Sequence, residues 1–147
     1  MKTSLVLLAG LCSFGAALSS ASAHCQVPCG IYADDNVFTT LETDVATIKK
    51  AMSMLADEKT STNQATRWVN NKESHAQSIQ DVVAKYFLAQ RVKTDEAEKN
   101  KEAYTQKLTL LHQITVYAMK CKQTTDLANA DKLSKAITDF KALYNKK

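Results

Sequence analysis

From Ala33 to Lys147 the chain contains neither glycine nor proline. Its three glycines (Gly10, Gly15, Gly30) and its one proline (Pro28) all lie within the first thirty residues. These are the usual breakers of regular backbone, so their absence argues for a long, all-helical remainder behind a single irregular feature at its front.

Cysteine is scarce as well, with Cys12, Cys25, Cys29 and Cys121 in the whole sequence. Cys12 falls in a leader, which leaves an odd number and excludes a typical disulfide-stapled scaffold. Charge of one sign is also lacking. The net charge is +4 at pH 7, with Lys and Arg interspersed among Asp and Glu, so nothing marks a nucleic-acid-binding surface. Long apolar runs are missing beyond the first residues, which excludes stable membrane insertion of the remainder.

Residues 1–23 read as a secretory signal peptide. Lys2 gives a positive start, Leu5 to Leu11 and Phe14 to Leu18 an apolar stretch, and Ala21 and Ala23 the small residues of a cleavage site. Such a leader predicts export to a periplasm, an extracellular space or an organelle lumen. An uncleaved anchor is the rival reading. Cleavage would leave His24 to Lys147, enough chain for one core, with a net charge of about +3 once Lys2 is gone (18 basic against 15 acidic).

Apolar positions then recur at steps of three and four. Val37, Phe38, Leu41, Val45, Ile48, Met52 and Leu55 predict a helix over about Asn36–Glu58. Further stripes predict helices over about Thr62–Val92, Asp95–Lys122 and Asp126–Asn145. Asp95 with Glu98 three residues on suggests a variant capping box. Short polar connections favour antiparallel neighbours, so residues 33–147 predict an up-and-down antiparallel four-helix bundle with an irregular N-terminal metal-binding hook.

That hook is His24-Cys25-Gln26-Val27-Pro28-Cys29-Gly30-Ile31-Tyr32. A cut before His24 would free its amine. The amine and the Cys25 amide nitrogen close one five-membered chelate ring, and the Cys25 thiolate closes a second. Cys29 folds back as fourth donor, in a turn restricted by Pro28 and eased by Gly30. The His24 imidazole is then free to act as an axial fifth ligand. Such an N₂S₂ plane suits Ni(II) or Cu(II) rather than tetrahedral zinc. Copper is the harder rival, since it binds N/S sites more tightly in the usual affinity order. A local Cys25–Cys29 disulfide is the reading without a metal.

His24, Cys25, Pro28, Cys29, Gly30 and Tyr32 match the H-C-x-x-P-C-G-x-Y hook of nickel superoxide dismutases, and the chain resembles that family over its whole length after the leader. The resemblance implies a helical bundle assembled as a homohexamer, one nickel ion per subunit, and conversion of two superoxide anions and two protons to dioxygen and hydrogen peroxide. It implies that His24, Cys25 and Cys29 bind the metal and that Tyr32 stands beside the open face. A family glutamate that holds the axial imidazole matches Glu42 best, two residues further from the hook than the family spacing. Arg67 is the candidate for an arginine behind it. Two features depart from the pattern: Gln26 stands where some members have an acid, and the leader resembles a secretory signal rather than a short propeptide. A metal-binding bundle without turnover is the alternative.

Outside the hook, His75 and His112 lack partners at metal-ligand spacing and are expected to pack in the body or at an interface. Tyr86, Tyr104, Tyr117 and Trp68 are expected in the core or at subunit contacts, and Cys121 is expected as a partly buried thiol.

Overall fold

The computed structural model describes residues 34–146, and every regular element among them is helical. The leader and the segment 24–32, with His24, Cys25, Cys29 and Tyr32, lie outside the described residues.

Helix α1 spans Asp34–Ala56 and opens with Asp34 and Asp35, acids that complement the positive end of a helix dipole. Its stripe Val37, Phe38, Leu41, Val45, Ile48 and Met52 is buried. On its other faces Thr39, Thr40, Thr43 and Thr47 donate their hydroxyls to the carbonyls four residues back, so these β-branched residues satisfy themselves within the helix.

Helix α2 spans Thr62–Val82 and passes directly into a π-helical segment, Val83–Arg91. The periodicity predicts one uninterrupted helix here, and the extent agrees while the winding differs. In an α-helix, residues five apart diverge by about 140°, at 3.6 residues per turn. The wider π turn brings them close to one face. Adjacent Tyr86 and Phe87 are thus both buried, and Arg91 returns over the Tyr86 ring, 5.0 Å from its centroid.

The third predicted helix is divided. A short α3 (Glu96–Lys99) stops at Asn100, whose extended backbone (φ −154°, ψ 89°) ends one helix and starts α4 (Lys101–Gln123). The Asn100 side chain caps α4 by accepting from the Ala103 amide at 3.0 Å. The Asp95 side chain makes no cap bond; Glu96 instead accepts from the Lys93 amide at 3.1 Å. Helix α5 (Leu127–Tyr144) is capped by Asp126, which accepts from the Ala128 amide.

The four long helices pack α1 on α2, α2 on α4, α4 on α5 and α5 on α1. Specific contacts set their directions. Asp34 meets Tyr86 while Asp44 meets His75, so α1 and α2 run antiparallel. Gln80 meets Thr115 while Lys72 meets Cys121, which makes α2 and α4 antiparallel. Asp34 meets Tyr144 while Lys49 meets Asp131, which does the same for α1 and α5.

The end of the bundle where α1 begins is closed by aromatic rings. Phe87 packs edge-on against Phe140 with centroids 4.8 Å apart, and Phe38 and Tyr144 complete the cluster at 5.3–5.9 Å. Tilted and edge-to-face pairs at these separations are favourable beyond the area they bury.

Candidate functional site

The hook joins the described body at Asp34, two residues after Tyr32. Asp34 is the centre of a polar cluster drawn from three helices. The Tyr86 hydroxyl donates to Oδ1 and the Tyr144 hydroxyl donates to Oδ2 at 2.9 Å. The Arg91 guanidinium lies 3.1 Å from Oδ1 and also donates to the Tyr86 hydroxyl at 3.0 Å.

Burial alone would raise the Asp34 carboxyl. The hydrogen bonds from Tyr86 and Tyr144 and the charge of Arg91 outweigh it and hold the group below its ordinary value. The same contacts act in reverse on the phenols. Burial and the bond to Asp34 raise both Tyr86 and Tyr144, so both stay protonated as donors. The bond to Tyr86 raises the Arg91 guanidinium further. The root of the hook is therefore pinned by one carboxylate that accepts from two phenols and a guanidinium.

Glu42 lies on α1, eight residues beyond Asp34, about 12 Å along the axis. It is half-exposed and pairs with Lys141 of α5 at 2.8 Å. Arg67 is exposed on the first turns of α2. The Asp44–His75 contact sets the α1–α2 register and leaves Arg67 about 15 Å along the axis from Glu42, toward the 57–61 connection. The structure therefore does not bring Glu42 and Arg67 together.

His75 does not pack as an apolar-face residue. Its Nδ1 lies 2.7 Å from Asp44 Oδ1, and Asp44 is buried on α1. His112 is exposed. Tyr86 is fully buried, while Tyr104 and Tyr117 pack against the core from its edge. Cys121 is a free, buried thiol that burial pushes up to about 11. The buried Lys72 ammonium donates to the Cys121 carbonyl at 2.8 Å and to the Lys122 carbonyl, and so satisfies the end of α4 from a neighbouring helix.

Among the described residues no group of three or more His, Cys, Asp or Glu could hold a metal ion. Outside the described residues, His24, Cys25 and Cys29 offer a nitrogen and thiolate set of the kind that fits nickel.

A family model described as nickel-containing superoxide dismutase matches residues 19–147. The chain belongs to that family. It is an oxidoreductase acting on superoxide, with a nickel cofactor in each subunit. Comparison with curated proteins and with solved structures returned no match. No described helix of this superoxide dismutase is long and apolar enough to cross a membrane.

The sequence alone does not single out Asp34 or Arg91, and it places Tyr86 only in the core or at a subunit contact. Tyr86 and Tyr144 lie 52 and 110 residues from Asp34. Arg91 reaches Tyr86 only because the intervening turn is π-helical. The one local signal is an aspartate at the junction of hook and helix.

Proposed function

We propose that this chain is exported, cut before His24, and converts two superoxide anions and two protons to dioxygen and hydrogen peroxide at its N-terminal hook. The observation that carries this reading is the nine-residue pattern from His24 to Tyr32, standing behind a signal-type leader in a chain whose family match includes it. Bound nickel supplies a one-electron couple between Ni(II) and Ni(III).

The residues around the metal divide the remaining work. The His24 amine and imidazole, the Cys25 amide nitrogen, and the Cys25 and Cys29 thiolates would hold the nickel. These strong donors favour the higher oxidation state. The Tyr32 hydroxyl would order water or a small anion beside the metal. Glu42 stands as the candidate partner of the imidazole, in exchange for its bond to Lys141. Arg67, toward the 57–61 connection, would serve only if residues 24–32 extend that far along the bundle.

The body in this reading is an up-and-down four-helix bundle, one domain over residues 33–147, assembled as a homohexamer around the hooks. The decisive experiment is N-terminal sequencing of the purified protein together with its metal content. A start at His24 with one nickel per chain is expected. A one-residue extension before His24 should abolish activity and leave the helical circular dichroism unchanged. Retained activity would remove the amine from the ligand set.

A further inference from the structure

Charge is not shared evenly between the two ends of the bundle. The Lys49–Asp131 ion pair and the contacts of Lys72 with the Cys121 and Lys122 carbonyls lie at one level across the four long helices. From that level outward, away from Asp34, lie residues 49–73 and 119–133. They carry eight Lys and Arg against five Asp and Glu, a net charge of +3. The rest of the chain after the leader carries ten of each and is neutral. Antiparallel packing gathers the whole excess at one end, although along the sequence the two signs are interspersed.

The pairing of these charges differs in the same sense. At the Asp34 end, Arg91, Lys99, Lys107 and Lys141 each pair with a carboxylate. At the far end Lys50, Lys59, Arg67, Lys120 and Lys132 are exposed and have no ion pair among the described residues. Apolar exposure coincides with this unneutralised charge. Of the four large apolar side chains exposed among the described residues, Val69, Met119 and Leu127 belong to the far end, and only Leu88 lies elsewhere. A single exposed apolar residue means nothing by itself. Three beside five unpaired bases form an amphipathic surface.

We propose that the end of the bundle remote from Asp34 is a docking surface for an anionic lipid membrane. The bases sit over the headgroup phosphates, and Val69, Met119 and Leu127 enter the boundary between headgroups and acyl chains. These three come from the first half of α2, the last two turns of α4 and the first turn of α5. They are spread over an end face, so a planar partner meets all of them at once and the bases with them. A nucleic acid would use the charge and leave the apolar side chains in water. The attachment is peripheral, since no described helix is long and apolar enough to cross a bilayer. It turns the Asp34 end away from the membrane.

The test uses the processed, nickel-loaded protein with vesicles of phosphatidylcholine alone or mixed equally with phosphatidylglycerol, read by co-sedimentation. Binding is expected on the anionic vesicles only, and it should fall as added salt shortens the Debye length. K59Q/K120Q/K132Q should weaken it about a hundredfold, at about fivefold for each base. V69S/L127S should weaken it about tenfold through lost apolar burial. K93Q/K101Q/K146Q, at the Asp34 end, should bind like the wild type.

Absence of binding to the anionic vesicles overturns the proposal, as does equal loss in the two lysine variants. V69S/L127S binding as tightly as the wild type overturns it too, because that leaves a site for any polyanion. A lower subunit number in K59Q/K120Q/K132Q or V69S/L127S, read by light scattering, would show that a second copy of the chain covers this end and would equally sink the membrane reading.

Discussion

The Tyr144 hydroxyl donates to Asp34 at 2.9 Å, which ties the last turn of α5 to the first residue of α1. The bond joins the end of the body to the root of the hook. The contact is half-buried and one of three on the same carboxylate. Tyr144→Phe is therefore expected to cost about 1 kcal/mol of stability, the usual net value of one hydrogen bond. Urea denaturation of the metal-free protein measures it. An unchanged midpoint would mean that water replaces the phenol at no loss.

Asp34 also predicts a pH dependence. Its folded carboxyl lies below the ordinary value of about 3.9. A depressed carboxylate contributes stability that is fully present above the unfolded value and is lost as pH falls through the folded one. Glu96, lowered by Lys107 and the Lys93 amide despite its burial, behaves alike. Asp34→Asn should destabilise the protein at pH 6, with the deficit shrinking toward pH 2.5. A deficit constant across that range would show that the carboxylate charge contributes nothing.

Cys121 predicts a thiol count. Buried and raised to about 11, it should resist alkylation at pH 8 in the folded protein. Metal-free, reduced, processed chain is expected to show two fast thiols, Cys25 and Cys29, and a third only after denaturation. A third fast thiol in the folded, reduced chain would show that Cys121 is not shielded. A single thiol in all unreduced, denatured samples would instead identify a Cys25–Cys29 disulfide.

Phe87 touches four other rings, those of Phe38, Tyr86, Phe140 and Tyr144. Phe87→Ala should cost about 3–5 kcal/mol, as is usual for removing a fully buried ring. It should also raise hydrogen exchange at the start of α1 more than at the 57–61 connection. Uniform loss across both ends would argue against a locally closed aromatic cap.

Lys72 predicts a loss of a different kind. Its buried ammonium accounts for two carbonyls at the end of α4. Lys72→Met keeps the apolar stem but abandons those acceptors, and about 1.5–3 kcal/mol should be lost, the range for bonds to a charged group. Amide exchange in the last turn of α4 and denaturant midpoints report it together.

The helical body was legible because its signals are local. Leu41, Val45, Ile48 and Met52 repeat on one face, and the absence of glycine and proline leaves little else for the backbone to do. Expected and observed helices differ by about two residues at α1 and by one at either end of α5. The break at Asn100 was missed because the apolar stripe runs through it, while the Asn100 side chain and backbone angles decide the cap. The π turn at Val83–Arg91 has no mark in the periodicity of its residues. It follows from burying Tyr86 and Phe87 together against α1 and α5.

The sequence by itself determined which donors stand together in the segment 24–32: His24, Cys25 and Cys29 lie within six residues, so short-range covalent geometry alone keeps them near one another. It also determined the helices, for the same reason of short range. Only the tertiary structure decided what stands at the root of that hook. Asp34, Tyr86, Arg91 and Tyr144 meet because antiparallel helices bring opposite ends of the chain to one place. No pattern within a single helix encodes which residues arrive there.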